Sequence, residues 1–184
     1  MTSNKKIIIL AIDPGIYHCG YSKTAVDTTT GKGVVSDYGE FSAISLAKKH
    51  HKAEFESYGN VIPLKVYAEE IERILLEYDP DYVVCESAFI HKFPQAYASL
   101  CLCLHTIERV LYSHGKTLAK IAPREAKKAI GDASADKIAV QEAIHRLPDL
   151  EVKHTKDKPL EKMSEHQADS IAIGYAFKKK HLNL

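Results

Sequence analysis

At 184 residues, 45% hydrophobic and 27% charged, the chain suits one soluble globular domain with a single substantial core. Its longest apolar run, Ile7 to Ile12, is too short to span a membrane, and no apolar leader with a cleavage site marks it for secretion. A net charge of +1 excludes a globally basic nucleic-acid binder, so any DNA site has to be a local patch on a neutral body.

Residues 6–12 (KIIILAI) form a continuous apolar run closed by Asp-Pro-Gly, which predicts a buried central strand. Gly20–Val26 and Val34–Ser42 predict two more strands around the turn-rich DTTTGKG, and the short connections predict an antiparallel meander. Residues 45–60 are charged and His-rich and read as an exposed loop. In PLKVYAEEIERILLEY (63–78) the apolar residues recur at helical spacing behind a proline, so a helix is expected there. Asp79-Pro80-Asp81 ends it, and Tyr82–Cys85 follows as a short buried strand. Residues 95–114 read as a helix whose mostly apolar stretch Leu100–Leu104 predicts near-complete burial. Lys116–Ala122 is a further strand, and Pro123 opens a short helix stopped by Gly131. Ser134 is placed to cap the helix in ADKIAVQEAIHRL. Residues 148–162 are polar and lysine-rich and read as a loop. Ser164 caps the last helix, EHQADSIAIGYAFKKK, with Gln167 completing a capping box. Cys19, Cys85, Cys101 and Cys103 form no CxxC pair and read as small buried hydrophobes in a reduced compartment. The order βββαβαβα, with an extra helix near the end, predicts an α/β fold. Its sheet is mixed and five-stranded, three antiparallel strands followed by two parallel ones, with helices on both faces.

Two acids stand at strand ends. Asp13 closes the first strand, where Asp-Pro-Gly is also ordinary turn chemistry. Glu86 closes the fourth, directly after Val83-Val84-Cys85. If these strands are neighbours, both carboxylates meet at one sheet end, where ligands of such sheets bind. The last helix begins Glu165-His166-x-x-Asp169, and the three-residue spacing puts His166 and Asp169 on one face. Ile171, Ile173, Tyr175 and Phe177 follow, so Asp169 lies near the buried side, where an unpaired acid is costly. A metal or cationic partner accounts for it; a plain helix-dipole role for an N-terminal Asp is the alternative. Three carboxylates and one imidazole suit Mg²⁺ or Mn²⁺. Two such ions would clamp the attacking water and leaving oxygen of a phosphodiester.

In order along the chain, IIILAIDPGIYHCGYS, DYVVCES, APREAKKAIGDASADKIAVQEAI and SEHQADSIAIGYA resemble the RuvC family of Holliday junction resolvases. The resemblance spans nearly the whole chain. It implies an RNase H-like fold and a homodimer that uses Mg²⁺ to nick two strands of a four-way DNA junction symmetrically. It places the protein in the cytoplasm, the host's if a phage encodes it. It also implies that Asp13 is the first-strand metal acid, Glu86 the fourth-strand acid that bridges or orients the metals, and Asp169 the last-helix metal acid. His166 falls where the family carries Asp or His, as ligand or proton-transfer group. Lys127 and Lys137 match family lysines that approach the scissile backbone; otherwise they read as surface lysines. Phe89 matches a residue that enters the junction stack, and reads equally as a core Phe.

Departures from the pattern cluster around DNA-contacting parts. The family's Asn after this Phe, its Gly-containing segment on the next helix and its glycine pair before Ala135-Asp136-Lys137 are absent, and the polar insert before the last helix is longer. They fit a divergent member, such as a phage or viral one, and touch junction specificity more than metal chemistry. An RNA-processing nuclease of the same fold would lack the segment at 135–137, a sugar-kinase or Hsp70-like ATPase needs a second lobe, and an inactive branched-DNA binder would not need all four ligands. A two-fold junction calls for two sites, hence a C₂ dimer, with Leu100, Leu102, Leu104 and Ile107 as the expected patch; the alternative is that this helix is simply the central core helix of a monomer.

Overall fold

The computed structural model describes residues 6–59, 61–88, 94–131, 137–153 and 162–184, with residues 137 and 138 by their backbone only. Strand β1 (Lys6–Asp13) lies inside the sheet and is covered on both faces. Leu10 and Ile12 join the core on one side, Ile9 and Ala11 the core on the other, which is why its sequence is apolar without alternation. Strands β2 (Cys19–Asp27) and β3 (Gly33–Phe41) continue from it as the expected antiparallel meander. Their turn is set by the Asp27 carboxylate, which accepts the backbone N–H groups of Thr29 and Thr30, and by Gly31 at φ 69°.

Helices α1 (Ala43–His50) and α2 (Lys52–Tyr58) stand where an exposed loop was expected over 45–60. Ser42 caps α1 by accepting from the Ser45 N–H at 3.2 Å, and Ala43 and Ala47 are buried with Leu46 packed alongside. An apolar face made largely of alanine is faint among so many lysines and histidines. Helix α3 (Val61–Tyr78) covers the same side of the sheet, packed against α4 (Pro94–Ser113). Strand β4 (Tyr82–Glu86) lies parallel beside β1, and β5 (Leu118–Ile121) parallel beside β4. Helices α5 (Pro123–Ala129), α6 (Lys137–His145) and α7 (Glu165–Phe177) belong to the opposite side. The expected cap Ser134 lies outside the described residues.

Two expectations need correction. The sheet has six strands, in the order β5-β4-β1-β2-β3-β6, because β6 (Leu150–Val152) pairs parallel with β3 through Gly33 and Leu150. A three-residue edge strand with one buried side chain leaves no readable period inside a polar segment. Helix α4 is also not nearly buried: it gives Cys103, Leu104, Ile107 and Leu111 to the core, while Leu102 is 51% exposed. The buried helix is α7, in which Ala168 and every residue from Ser170 to Phe177 is enclosed between the sheet and α5 and α6. Gly174 allows this fit, since a Cβ there would sit 3.1 Å from that of Ala11.

Cys19, Cys85 and Cys103 are buried and Cys101 partly so, all as free thiols, and burial pushes Cys85 and Cys103 each up to about 12. Among the described residues no helix is long and apolar enough to cross a membrane.

Helix α7 runs into one π-helical turn (Lys178–Leu182) that carries Lys178 into the interior. Its ammonium donates to the Gly31 carbonyl at 2.8 Å and to Asp149 at 2.6 Å, 5.0 Å from the Tyr175 ring centre. Asp149 also accepts from Lys179 and the Tyr175 hydroxyl, and its carbonyl accepts from the Gly33 N–H. This cluster ties the end of α7 to the β2–β3 turn and the start of β6. Burial alone would raise the Asp149 pKa, but hydrogen bonds from Lys178, Lys179 and Tyr175 outweigh it and hold the carboxyl well below the usual range. A depressed folded-state pKa means stability that is full above the ordinary carboxylate range and lost as pH falls below it, from about pH 5 downward. Asp149→Asn strands a buried ammonium and is expected to cost on the order of 3–5 kcal/mol at pH 7. The deficit should shrink by pH 3. Urea unfolding at the two pH values checks this, and wild-type stability of the variant at pH 7 contradicts it.

Candidate active site

Asp13 ends β1 and Glu86 ends β4, and the parallel register Ile12↔Cys85 puts these two ends side by side. Across the other edge of β1, Asp13 pairs with Gly20 of β2, and Gly20 with Glu40 of β3. Helix α7 starts above this row. Ser164 caps it by accepting from the Gln167 N–H at 3.2 Å, and Gln167 returns a bond to the Ser164 N–H at 2.9 Å, as the sequence predicts. A Cβ at position 20 would land on the backbone carbonyl of His166, so glycine is what lets the first turn of α7 descend onto the sheet. The descent delivers His166 to Asp13, Nδ1 to Oδ2 at 2.7 Å, with Glu165 3.5 Å from Nε2.

Charge in this corner is concentrated and poorly hydrated. Burial pushes Glu86 up to about 8, helped by repulsion from Asp13 and Asp169 and opposed by Lys127. Burial likewise raises Asp169 to about 6, with Asp13 adding and Lys127 and His166 subtracting. Asp13 is raised by burial although His166 works against it, and His166 is raised chiefly by its bond to Asp13. Among the described residues no group of three or more His, Cys, Asp or Glu is gathered closely enough to hold an ion as it stands; Asp13 is instead turned onto His166. The donor set still fits a hard divalent cation. It consists of oxygen and imidazole ligands, and buried, mutually repelling carboxylates are the groups a cation stabilises as anions.

Four expected site residues, Asp13, Glu86, His166 and Asp169, therefore share one sheet end, and Lys127 of α5 is near enough to bias Glu86 and Asp169. Phe89 lies outside the described residues, as does the side chain of Lys137. Leu104 and Ile107 of the expected dimer patch are occupied in the chain's own core; Leu102 is exposed. Sequence reading missed His18 and Glu40. His18 bonds Glu40 at 2.6 Å, and its ring stacks on His166 with centres 5.2 Å apart. The signal for Glu40 was present, since it too is an acid near the end of a strand.

The family model for crossover junction endodeoxyribonuclease RuvC matches residues 9–177. A crossover junction endodeoxyribonuclease RuvC of Gloeobacter violaceus is 30% identical over 173 residues, covering 90% of this chain and 84% of that protein. The solved structure of Thermus thermophilus RuvC superposes with a TM-score of 0.68 at 19% identity, over 96% of this chain and 97% of that one. The same protein in complex with a Holliday junction substrate superposes at 0.66, with 19% identity and 92% of each chain covered. These structural likenesses establish the fold.

In the metal-free protein His166 should titrate above the ordinary imidazole value of about 6.5. Asp13→Asn should lower it, because the bond to Asp13 is the largest cause of the shift. Proton NMR of the ring checks this, and a titration unchanged by Asp13→Asn contradicts the pairing.

Proposed function

This chain belongs to the RuvC family of crossover junction endodeoxyribonucleases, and on that footing we infer that it is a structure-selective DNA endonuclease that resolves Holliday junctions. The observation that carries the chemistry is the convergence of Asp13, Glu86, Asp169 and His166 at one sheet end. The family match to DNA endonucleases favours DNA over RNA as substrate, and four intact candidate ligands favour an enzyme over an inactive junction binder.

We assign Asp13, Glu86 and Asp169 as the carboxylates that hold two Mg²⁺ ions, with Mn²⁺ as a substitute and His166 beside them. Bound there, the cations supply charge neutralisation at the phosphodiester and a more acidic attacking water. The protein's own groups do the rest. The strand ends fix the backbones of Asp13 and Glu86, and the start of α7 that of Asp169, so only side-chain turns such as that of Asp13 away from His166 are needed to gather the acids. We assign His166, paired with Asp13 at 2.7 Å, the family role of metal ligand or proton-transfer group. We assign Lys127, close enough to lower the pKa of both Glu86 and Asp169, the role of neutralising backbone phosphate charge. We assign Lys137 and Phe89 the corresponding family roles of phosphate contact and junction wedge. A junction has two-fold symmetry, so two nicks in matching orientation call for a homodimer, with exposed Leu102 on the contacting side of α4. We assign it to the cytoplasm, the host's if a phage encodes it.

Cleavage of a synthetic four-way junction tests this directly. Wild type should cut with Mg²⁺ and stop in EDTA. Asp13→Asn, Glu86→Gln and Asp169→Asn should each lose several kcal/mol of transition-state stabilisation, at least about 10³-fold in rate, while junction binding persists. Normal cutting by any of the three, or by wild type in EDTA, contradicts the assignment. Wild type should sediment at twice the 20.5 kDa chain mass, and mixing it with Asp13→Asn should yield singly nicked junctions. A monomer that resolves junctions fully contradicts the dimer.

A further inference from the structure

Beside the acids lies a cluster that none of the roles above uses. Glu40 sits two strands from Asp13 in the same cross-strand row, so its backbone is as fixed as the sheet. One oxygen of its carboxylate pairs with His18 Nδ1 at 2.6 Å, and the other accepts from the Ser164 hydroxyl. Ser164 is the cap of α7, and His18 lies immediately before β2. The His18 side chain is 59% exposed, which would ordinarily leave it free to rotate. Here it stands 4° from parallel to the His166 ring, at 5.2 Å between centres. Both arms of Glu40 therefore end on His166, one through the ring face and one through the start of its helix.

His166 needs such support. Its hydrogen bond to Asp13 at 2.7 Å holds Nδ1 only, while Glu165 stands 3.5 Å from Nε2, an ion-pair contact that leaves the far end of the ring loosely held. A flat neighbour against one face limits rotation about the side-chain bonds. Resting on the nuclease reading above, we propose that Glu40 is a positioning residue that, through His18 and Ser164, holds the His166 imidazole against Asp13 in the orientation the site uses. Groups at this remove from a metal site tune affinity or rate by about 10–100-fold.

Three variants and three readouts test it. Glu40→Ala and His18→Ala should slow single-turnover cleavage of a four-way junction by about 10–100-fold. Junction affinity measured in EDTA should stay unchanged. His18→Phe keeps a flat face but loses the bond to Glu40, so it should recover part, not all, of the rate lost in His18→Ala. In the metal-free protein, the ring-current shift of the His166 ring protons should vanish in His18→Ala, persist in His18→Phe and weaken in Glu40→Ala. Wild-type cleavage rates in both alanine variants would overturn the proposal. Equal impairment in His18→Ala and His18→Phe, or a parallel loss of junction affinity, would overturn it as well. If wild type itself fails to cut, the nuclease reading falls, and the His166 spectrum still decides whether Glu40 and His18 hold the ring.

Discussion

Helix α7 meets the sheet over a glycine, and most of the site depends on that close approach. Gly20 leaves no side chain between β2 and the backbone of His166. The helix is buried along nearly its whole length, with Gly174 allowing a second close approach at Ala11. At its far end Lys178 binds Gly31 and Asp149. A helix gripped at three points cannot slide, so the place where its first turn meets Asp13 is set by packing. In this chain the core and the candidate active site are one construction.

That construction carries an electrostatic cost. Asp13, Glu86 and Asp169 are drawn from water to one corner, and burial raises the pKa of each, with repulsion from Asp13 adding at Glu86 and Asp169 and from Glu165 and Glu40 at Asp13. Part of the cost is relieved from inside, by His166 on Asp13 and by Lys127 near the other two. A hard cation relieves it more fully, because it neutralises several carboxylates at once. Rigid strand ends keep the acids from moving apart in the meantime. An acid corner of this kind lowers stability locally, the usual compromise at functional centres.

Much of this was legible in the sequence. The apolar run into Asp13, the short strand into Glu86 and the capped start of α7 are local patterns with local causes, and each formed as expected. Helices α1 and α2 escaped because alanines mark their buried face weakly against a run of lysine and histidine. Strand β6 escaped because three residues show no period. The difference between α4 and α7 depends on which elements cover a helix, and a helix apolar on most sides reads alike whether sheet or solvent lies opposite. His18 and Glu40 escaped for a further reason. Their meaning comes from the row Asp13–Gly20–Glu40 across three strands, which exists only once the register is known. The context of Glu40 matched that of the two acids already singled out.

The central proposal is that the acid corner holds divalent cations between Asp13, Glu86 and Asp169. Crystals of the wild-type protein grown at the Mn²⁺ concentration that saturates junction cleavage, with an anomalous difference map collected at the manganese edge, address it most directly. The account predicts anomalous peaks between these three carboxylates, one of them touching Asp13. A map with no peak at this sheet end, or with its peaks elsewhere on the protein, would contradict it.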